Sequence, residues 1–329
     1  MIKKYKIAFY GFGHAHINTL YKKVKERDDF EITHLVEPNA SIREATEEKL
    51  GVEFSNLTLD GLLSCDFDVL AVGTAYGKRA EVILKALSVG KHVIADKPIC
   101  TKREELEKIK ALQEKNGLAL LCMLDLRYLK QTQRAREILL SGMLGEVKNI
   151  SFNGQHYIDP KNRPLWYFED GMHGGTINDL AIHGVDLVRM LTGLEFTTVD
   201  AARIWNSYAT SHPDFKDCAT FMARLENGAG VLADISYSAP SQCFTMPTYW
   251  EFRFWCEHGM LAFSYNSPFV TVYKNGEDAP TVYDGIEPVA DYLDELILSI
   301  ESGAQELTKS VILSTAATQK IQEKADITE

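Results

Sequence analysis

Asp179 and His183 stand four residues apart in Gly174-Gly175-Thr176-Ile177-Asn178-Asp179-Leu180-Ala181-Ile182-His183-Gly184-Val185-Asp186. On a helix that spacing puts both side chains on one face. A carboxylate that holds an imidazole is a common proton-transfer pair, because histidine titrates near neutral pH. The same face carries no Lys or Glu, which an ordinary exposed helix would favour. From spacing alone, a solvated face competes evenly with a reactive one.

A second constellation lies near the start of the chain. The apolar run Lys6–Tyr10 leads into Gly11-Phe12-Gly13-His14-Ala15-His16 and then a helical pattern. Glycines between a strand and a helix let the backbone approach a pyrophosphate at the helix N-terminus. The third glycine of a dinucleotide fingerprint is replaced by His16. His14 and His16 are read as packing or pyrophosphate-adjacent residues, and no metal site is expected. Glu37 follows at the end of the next apolar run. An acidic residue there binds ribose hydroxyls and repels a 2′-phosphate, which favours NAD over NADP, although Arg43 lies close by. A proton-transfer pair and a dinucleotide turn in one chain suggest hydride chemistry.

These residues need a scaffold. Up to about residue 126, short apolar runs at Glu31–Val36, Val69–Val72, His92–Ala95 and Leu118–Met123 alternate with helical stretches. That alternation predicts a parallel sheet covered on both faces. Residues 127–329 read differently. Period-two runs (Val147–Tyr157, Thr197–Trp205, Ala219–Leu225, Ala229–Tyr237, Trp250–Cys256, Phe269–Tyr273) are joined by turn signals such as Asn227-Gly228. The fold class expected is α/β: an N-terminal Rossmann domain, then an α+β domain with a large, open, mainly antiparallel sheet. Two helices are expected here, one over Thr176–Leu191 and a last segment beginning near Val289.

The 329 residues can bury a large core, and 45 % hydrophobic with 25 % charged residues suits a globular protein. A formal charge of −11 argues against nucleic acid and anionic membranes as partners. The six cysteines form no C-x-x-C pair, which suits reduced thiols and a cytoplasmic location.

The chain resembles the glucose–fructose oxidoreductase / inositol dehydrogenase / MocA-like family. The resemblance rests on Gly11-Phe12-Gly13, on Gly90-Lys91-His92-Val93-Ile94-Ala95-Asp96-Lys97-Pro98, and on the Gly174–Asp186 segment. It implies catalytic roles for Lys97, Asp179 and His183. It also implies cofactor contacts from Gly11, Phe12, Gly13, His14, Glu37, Thr74, Tyr76, Asp96 and Lys97, with cofactor and substrate held between the domains. Arg127, Tyr157, Arg163, Trp166 and His183 are the candidate substrate contacts. The expected reaction is NAD(P)-dependent oxidation of a sugar, cyclitol or polyol hydroxyl by a homodimer or homotetramer. Glycoside cleavage without net oxidation and a non-catalytic sugar or dinucleotide sensor are the alternatives. Two departures stand out. Asp96 replaces the family's usual glutamate before the lysine. Thr74-Ala75-Tyr76-Gly77-Lys78-Arg79 lacks its usual proline and histidine.

Overall fold

The structure is a computed structural model and describes residues 3–327. The chain forms two compact units that interleave in sequence. The first comprises residues up to Met123, then Pro164–Gly174 and Tyr292–Thr315. The second comprises Leu124–Arg163, Gly175–Asp291 and the chain from Ala316.

The first unit holds a parallel sheet of five strands: β1 (Tyr5–Tyr10), β2 (Phe30–Val36), β3 (Val69–Val72), β4 (His92–Ala95) and β5 (Leu120–Cys122). Their order is β2-β1-β3-β4-β5. Every residue of β3 and β5 is buried, as covering helices on both faces require. The helices are α1 (His16–Lys25), α2 (Ala40–Leu50), α3 (Leu59–Leu63), α4 (Tyr76–Ser88) and α5 (Arg103–Asn116). Strand order reverses between β1 and β3, so the carboxyl ends of these two strands flank the crevice where such sheets take ligands. Gly11 lies there at φ +82°, and a Cβ on it would overlap Thr74. Only glycine suits that position.

In the second unit α6 (Lys130–Leu140) and α7 (Ile182–Thr192) pack on one face of an eight-stranded sheet. The strands are β6 (Val147–Gln155), β7 (Phe196–Trp205), β8 (Cys218–Leu225), β9 (Gly230–Ser236), β10 (Glu251–Cys256), β11 (Gly259–Ser264), β12 (Phe269–Lys274) and β13 (Thr281–Asp284). Their order is β13-β12-β11-β10-β6-β9-β8-β7. Neighbours are antiparallel except β6 and β9, which run parallel. On the covered face Phe152 stacks on Phe252, with centroids 5.5 Å apart. Gly184 of α7 lies against Phe152 so closely that a Cβ would overlap the ring. Two more helices, α8 (Tyr292–Ser302) and α9 (Glu306–Asp326), complete the elements. No helix among the described residues is long and apolar enough to cross a membrane.

The periodicities locate most of these elements. They miss α3, α6, β11 and β13, and the last helical segment expected from near Val289 is two helices, α8 and α9. The helix expected over Thr176–Leu191 is not uniform: Ile177–Ala181 is a π-helical turn, and the α-helix begins at Ile182. Asp179 and His183 therefore straddle a change of helical pitch instead of sharing one regular face.

Candidate active site

In the first unit the chemistry-bearing side chains gather where β1 and β4 end. Asp96 is fully buried and accepts from four donors. His14 Nδ1 lies 2.6 Å from Oδ2 and His16 Nδ1 3.1 Å from Oδ1. The Lys97 backbone N–H donates to Oδ1 at 2.7 Å, and Arg79 Nη2 donates to Oδ2 at 3.3 Å. Burial alone would raise the Asp96 carboxyl; its interactions with His14, His16 and Arg79 outweigh it and hold the carboxyl well below its usual range. Burial pushes His14 down to about 4 against the pull of Asp96, so its imidazole is neutral at pH 7. An ionised carboxylate only accepts, so both imidazoles donate through Nδ1–H.

Among the described residues, His14, His16 and Asp96 are also the one group whose atoms, all within 4.8 Å, have metal-ligand character. A carboxylate offers about four lone-pair sites. Here all four are taken, one of them by a permanent cation. The set reads as a closed hydrogen-bond network rather than as a metal centre.

Lys97 follows, 3 % exposed, with its ammonium 5.7 Å from the centre of the Tyr76 ring. The Lys97–Pro98 peptide is cis. Tyr76 is fully buried, and its hydroxyl lies 3.1 Å from that of Tyr167. Trp166 packs edge-on against Tyr76 at 4.8 Å, and its indole N–H donates to the Gly13 carbonyl at 3.0 Å. Trp166, expected to contact substrate, is thus placed on the glycine turn of its own unit.

The residues present suit a dinucleotide. Helix α1 has no side-chain N-cap and no acid in its first turn, which leaves its positive end to an anion. Thr74 Oγ1 is buried without a hydrogen-bond partner. Glu37, 4 % exposed, accepts from Phe12 N–H at 2.5 Å and Asn39 N–H at 2.8 Å. Burial raises its carboxyl above the ordinary range, against those two bonds and the charge of Arg43. Arg43 itself donates to the Glu37 backbone carbonyl at 3.4 Å.

In the second unit Asp179 is 1 % exposed and His183 8 %. A solvated face is therefore ruled out, and π-turns recur at functional positions. Tyr237, 2 % exposed, donates its hydroxyl to Asp179 Oδ2. Arg163 lies over the Tyr237 ring at 5.9 Å and donates to the Tyr157 carbonyl at 2.9 Å. Tyr237 thereby links two of the expected residues, Asp179 and Arg163, and Arg163 in turn bonds Tyr157. His183 packs edge-on against Trp250 at 5.5 Å. Trp250 is the only non-glycine at positive φ (+50°) among the described residues. For a bulky residue that conformation is costly and marks a position held by its surroundings. Arg127 forms a buried two-pronged ion pair with Asp186, both contacts at 2.5 Å. Tyr237 and Trp250 were invisible in sequence terms. Neither belongs to a motif, and only the register of distant strands brings Tyr237 to the π-turn and Trp250 to α7.

Comparison with known proteins agrees with this architecture. Residues 5–123 match the oxidoreductase family with an NAD-binding Rossmann fold, and residues 132–262 match the GFO/IDH/MocA C-terminal domain. Levoglucosan dehydrogenase of Pseudarthrobacter phenanthrenivorans is 28 % identical over 203 residues, 60 % of this chain and 50 % of that protein. The chain spans about half the length, or less, of the curated relatives it matches. Among solved structures, aldose–aldose oxidoreductase from Caulobacter crescentus, complexed with glycerol, superposes with a TM-score of 0.81 at 20 % identity, covering 99 % of both chains. KijD10, a 3-ketoreductase from Actinomadura kijaniata with NADP and TDP-benzene, gives 0.79 at 17 % identity over 98 % of both. At such identities the likeness is one of fold.

Proposed function

The chain belongs to the GFO/IDH/MocA oxidoreductase family, and on that premise we propose that it oxidises, reversibly and with NAD, a hydroxyl of a sugar, cyclitol or related polyol. The observation that carries the reading is the burial of Lys97, Asp179 and His183. Buried ionisable groups are costly and cluster where they perform chemistry.

A bound nicotinamide supplies the hydride acceptor. The chain's own residues do the rest. The Lys97 ammonium stabilises the negative charge that develops on the substrate oxygen as its proton leaves. His183 takes that proton. Asp179, fixed by Tyr237, orients the acceptor or holds a neighbouring hydroxyl. Arg163 and Tyr157 bind further hydroxyls. Gly11, Gly13 and the open end of α1 take the pyrophosphate, and Glu37 takes the adenosine ribose. Because Glu37 is buried and engaged beside the Phe12 N–H, a 2′-phosphate meets an acidic group, which favours NAD over NADP.

The experiment has two stages. Protein stripped of cofactor is titrated with NADH and NADPH by fluorescence. Sugars, cyclitols and polyols, levoglucosan among them, are then screened for NAD reduction. Tighter NADH binding and turnover of at least one polyol are expected. Lys97→Ala and His183→Ala should each lower kcat by about 100-fold or more while keeping the fold. Undiminished turnover in both variants would sink the assignment.

A further inference from the structure

Arg79 is the largest side chain with no solvent exposure, and no role has yet been given to it. It sits in the first turn of α4, where the family's usual histidine is absent. Its guanidinium donates to three backbone carbonyls and one carboxylate. Nη1 donates to Asp96 O and to Pro98 O, both at 2.8 Å. Nη2 donates to Thr74 O at 2.8 Å and to Asp96 Oδ2 at 3.3 Å. Asp96 and Pro98 are the two neighbours of Lys97. One planar cation therefore holds the backbone on either side of Lys97 and ties both sides to the end of β3. The same cation lies 4.8 Å from the centre of the Tyr76 ring, which also carries the Lys97 ammonium.

We propose that Arg79 is a positioning residue for Lys97, a brace that fixes the Asp96–Pro98 turn and so the place of the Lys97 ammonium. The proposal rests on the reading of Lys97 given above. The chemistry demands arginine. Four bonds in one plane need the guanidinium fork, whereas a lysine is a point charge that reaches one or two carbonyls. Arg79 also sets a permanent positive charge beside Asp96, and Asp96 in turn fixes the Lys97 N–H. Two segments that depart from the family pattern, Thr74–Arg79 and Asp96, thus meet in one contact between Arg79 and Asp96.

The test reads Lys97 directly. Wild type, Arg79→Met and Arg79→Lys are exposed to reductive methylation, and labelling of each lysine is followed by peptide mass spectrometry. Lys91 is the internal control, since its ammonium is held in the same unit by the Phe67 carbonyl at 2.7 Å. In Arg79→Met, Lys97 labelling should accelerate several-fold while Lys91 is unchanged, and Arg79→Lys should fall between. With the substrate found in the screen, kcat should fall roughly 100-fold with KM little altered. Equal acceleration at Lys91 and Lys97, or at neither, overturns the brace, as does selective acceleration with kcat unchanged. If Arg79→Met fails to fold by circular dichroism, Arg79→Lys is judged by the same criteria. Normal turnover of Lys97→Ala would instead remove the functional reading, while the labelling pattern still decides the brace.

Discussion

The Tyr237 hydroxyl donates a hydrogen bond to the Asp179 carboxylate, joining the end of β9 to the π-helical turn before α7. The bond ties the buried Asp179 carboxyl to the sheet. Tyr237→Phe keeps the ring and removes the donor. Losing a buried hydrogen bond costs about 1 kcal/mol, so the melting temperature should fall and kcat should drop with it. Thermal unfolding and the polyol assay check both. An unchanged melting temperature would show that the bond contributes nothing.

Acid should weaken the first unit through His14. Its folded value of about 4 lies below the ordinary 6.5, with burial as the main cause. The unfolded chain therefore binds the proton more readily. The stability this provides is fully present above pH 6.5 and is lost as pH falls toward 4, by up to about 3 kcal/mol. Asp96, depressed in the folded state, loses its share at still lower pH. Melting temperature measured from pH 7 to 4.5 should decline, and His14→Phe should flatten that decline.

In the proposed reading Glu37 sets the cofactor preference. Glu37→Ser removes the acid from the proposed ribose site and frees the Phe12 N–H. Losing a hydrogen bond to a charged group costs about 1.5–3 kcal/mol, or roughly 10- to 100-fold in affinity. NADH should bind that much more weakly, and NADPH should gain, with Arg43 available to its phosphate. A fluorescence titration gives both constants. Parallel loss of both cofactors would contradict a discriminating role.

Gly184 tests the fit of α7 on the sheet. Gly184→Val would drive methyl groups into the Phe152 ring. Overpacking of this kind costs about 1–3 kcal/mol. Chemical denaturation should show a lower midpoint, and Phe152→Ala in the same chain should recover part of it.

The open face of the eight-stranded sheet is a candidate contact for a second copy. Met222 and Leu232 pair across β8 and β9 and are 50 % and 45 % exposed. Trp255 and Tyr273 are exposed on further strands of the same sheet. Exposed apolar side chains on such a face suit association with a second copy. Sedimentation should find a dimer or tetramer, and Met222→Lys with Leu232→Glu should shift it to monomer.

Local signals made the dinucleotide turn legible: a strand, two glycines and a helix within twenty residues. The Asn227-Gly228 hairpin was legible for the same reason, with its glycine at positive φ. Asp179 and His183 were found by spacing, but the π-turn between them was not, because nothing in the residue types of Ile177–Ala181 announces a change of pitch. The partners that give the site its geometry lie far off in sequence. Trp166 bonds Gly13 from 153 residues away, and Tyr237 bonds Asp179 from 58. Such pairings depend on which strands neighbour one another, and the parallel pairing of β6 with β9 has no local signature.

The interleaving of the two units has a consequence for how the chain can be made. The dinucleotide-binding unit is not finished at Met123. Trp166, which bonds Gly13, and Thr308, which takes the Leu120 N–H at 3.1 Å, arrive much later. On the ribosome, the sheet that forms first must wait for nearly the whole polypeptide before its last hydrogen bonds close. A fragment cut near residue 126 would emerge with an uncovered glycine turn and an unanswered strand end, so this unit cannot be lifted out as a contiguous, transplantable module.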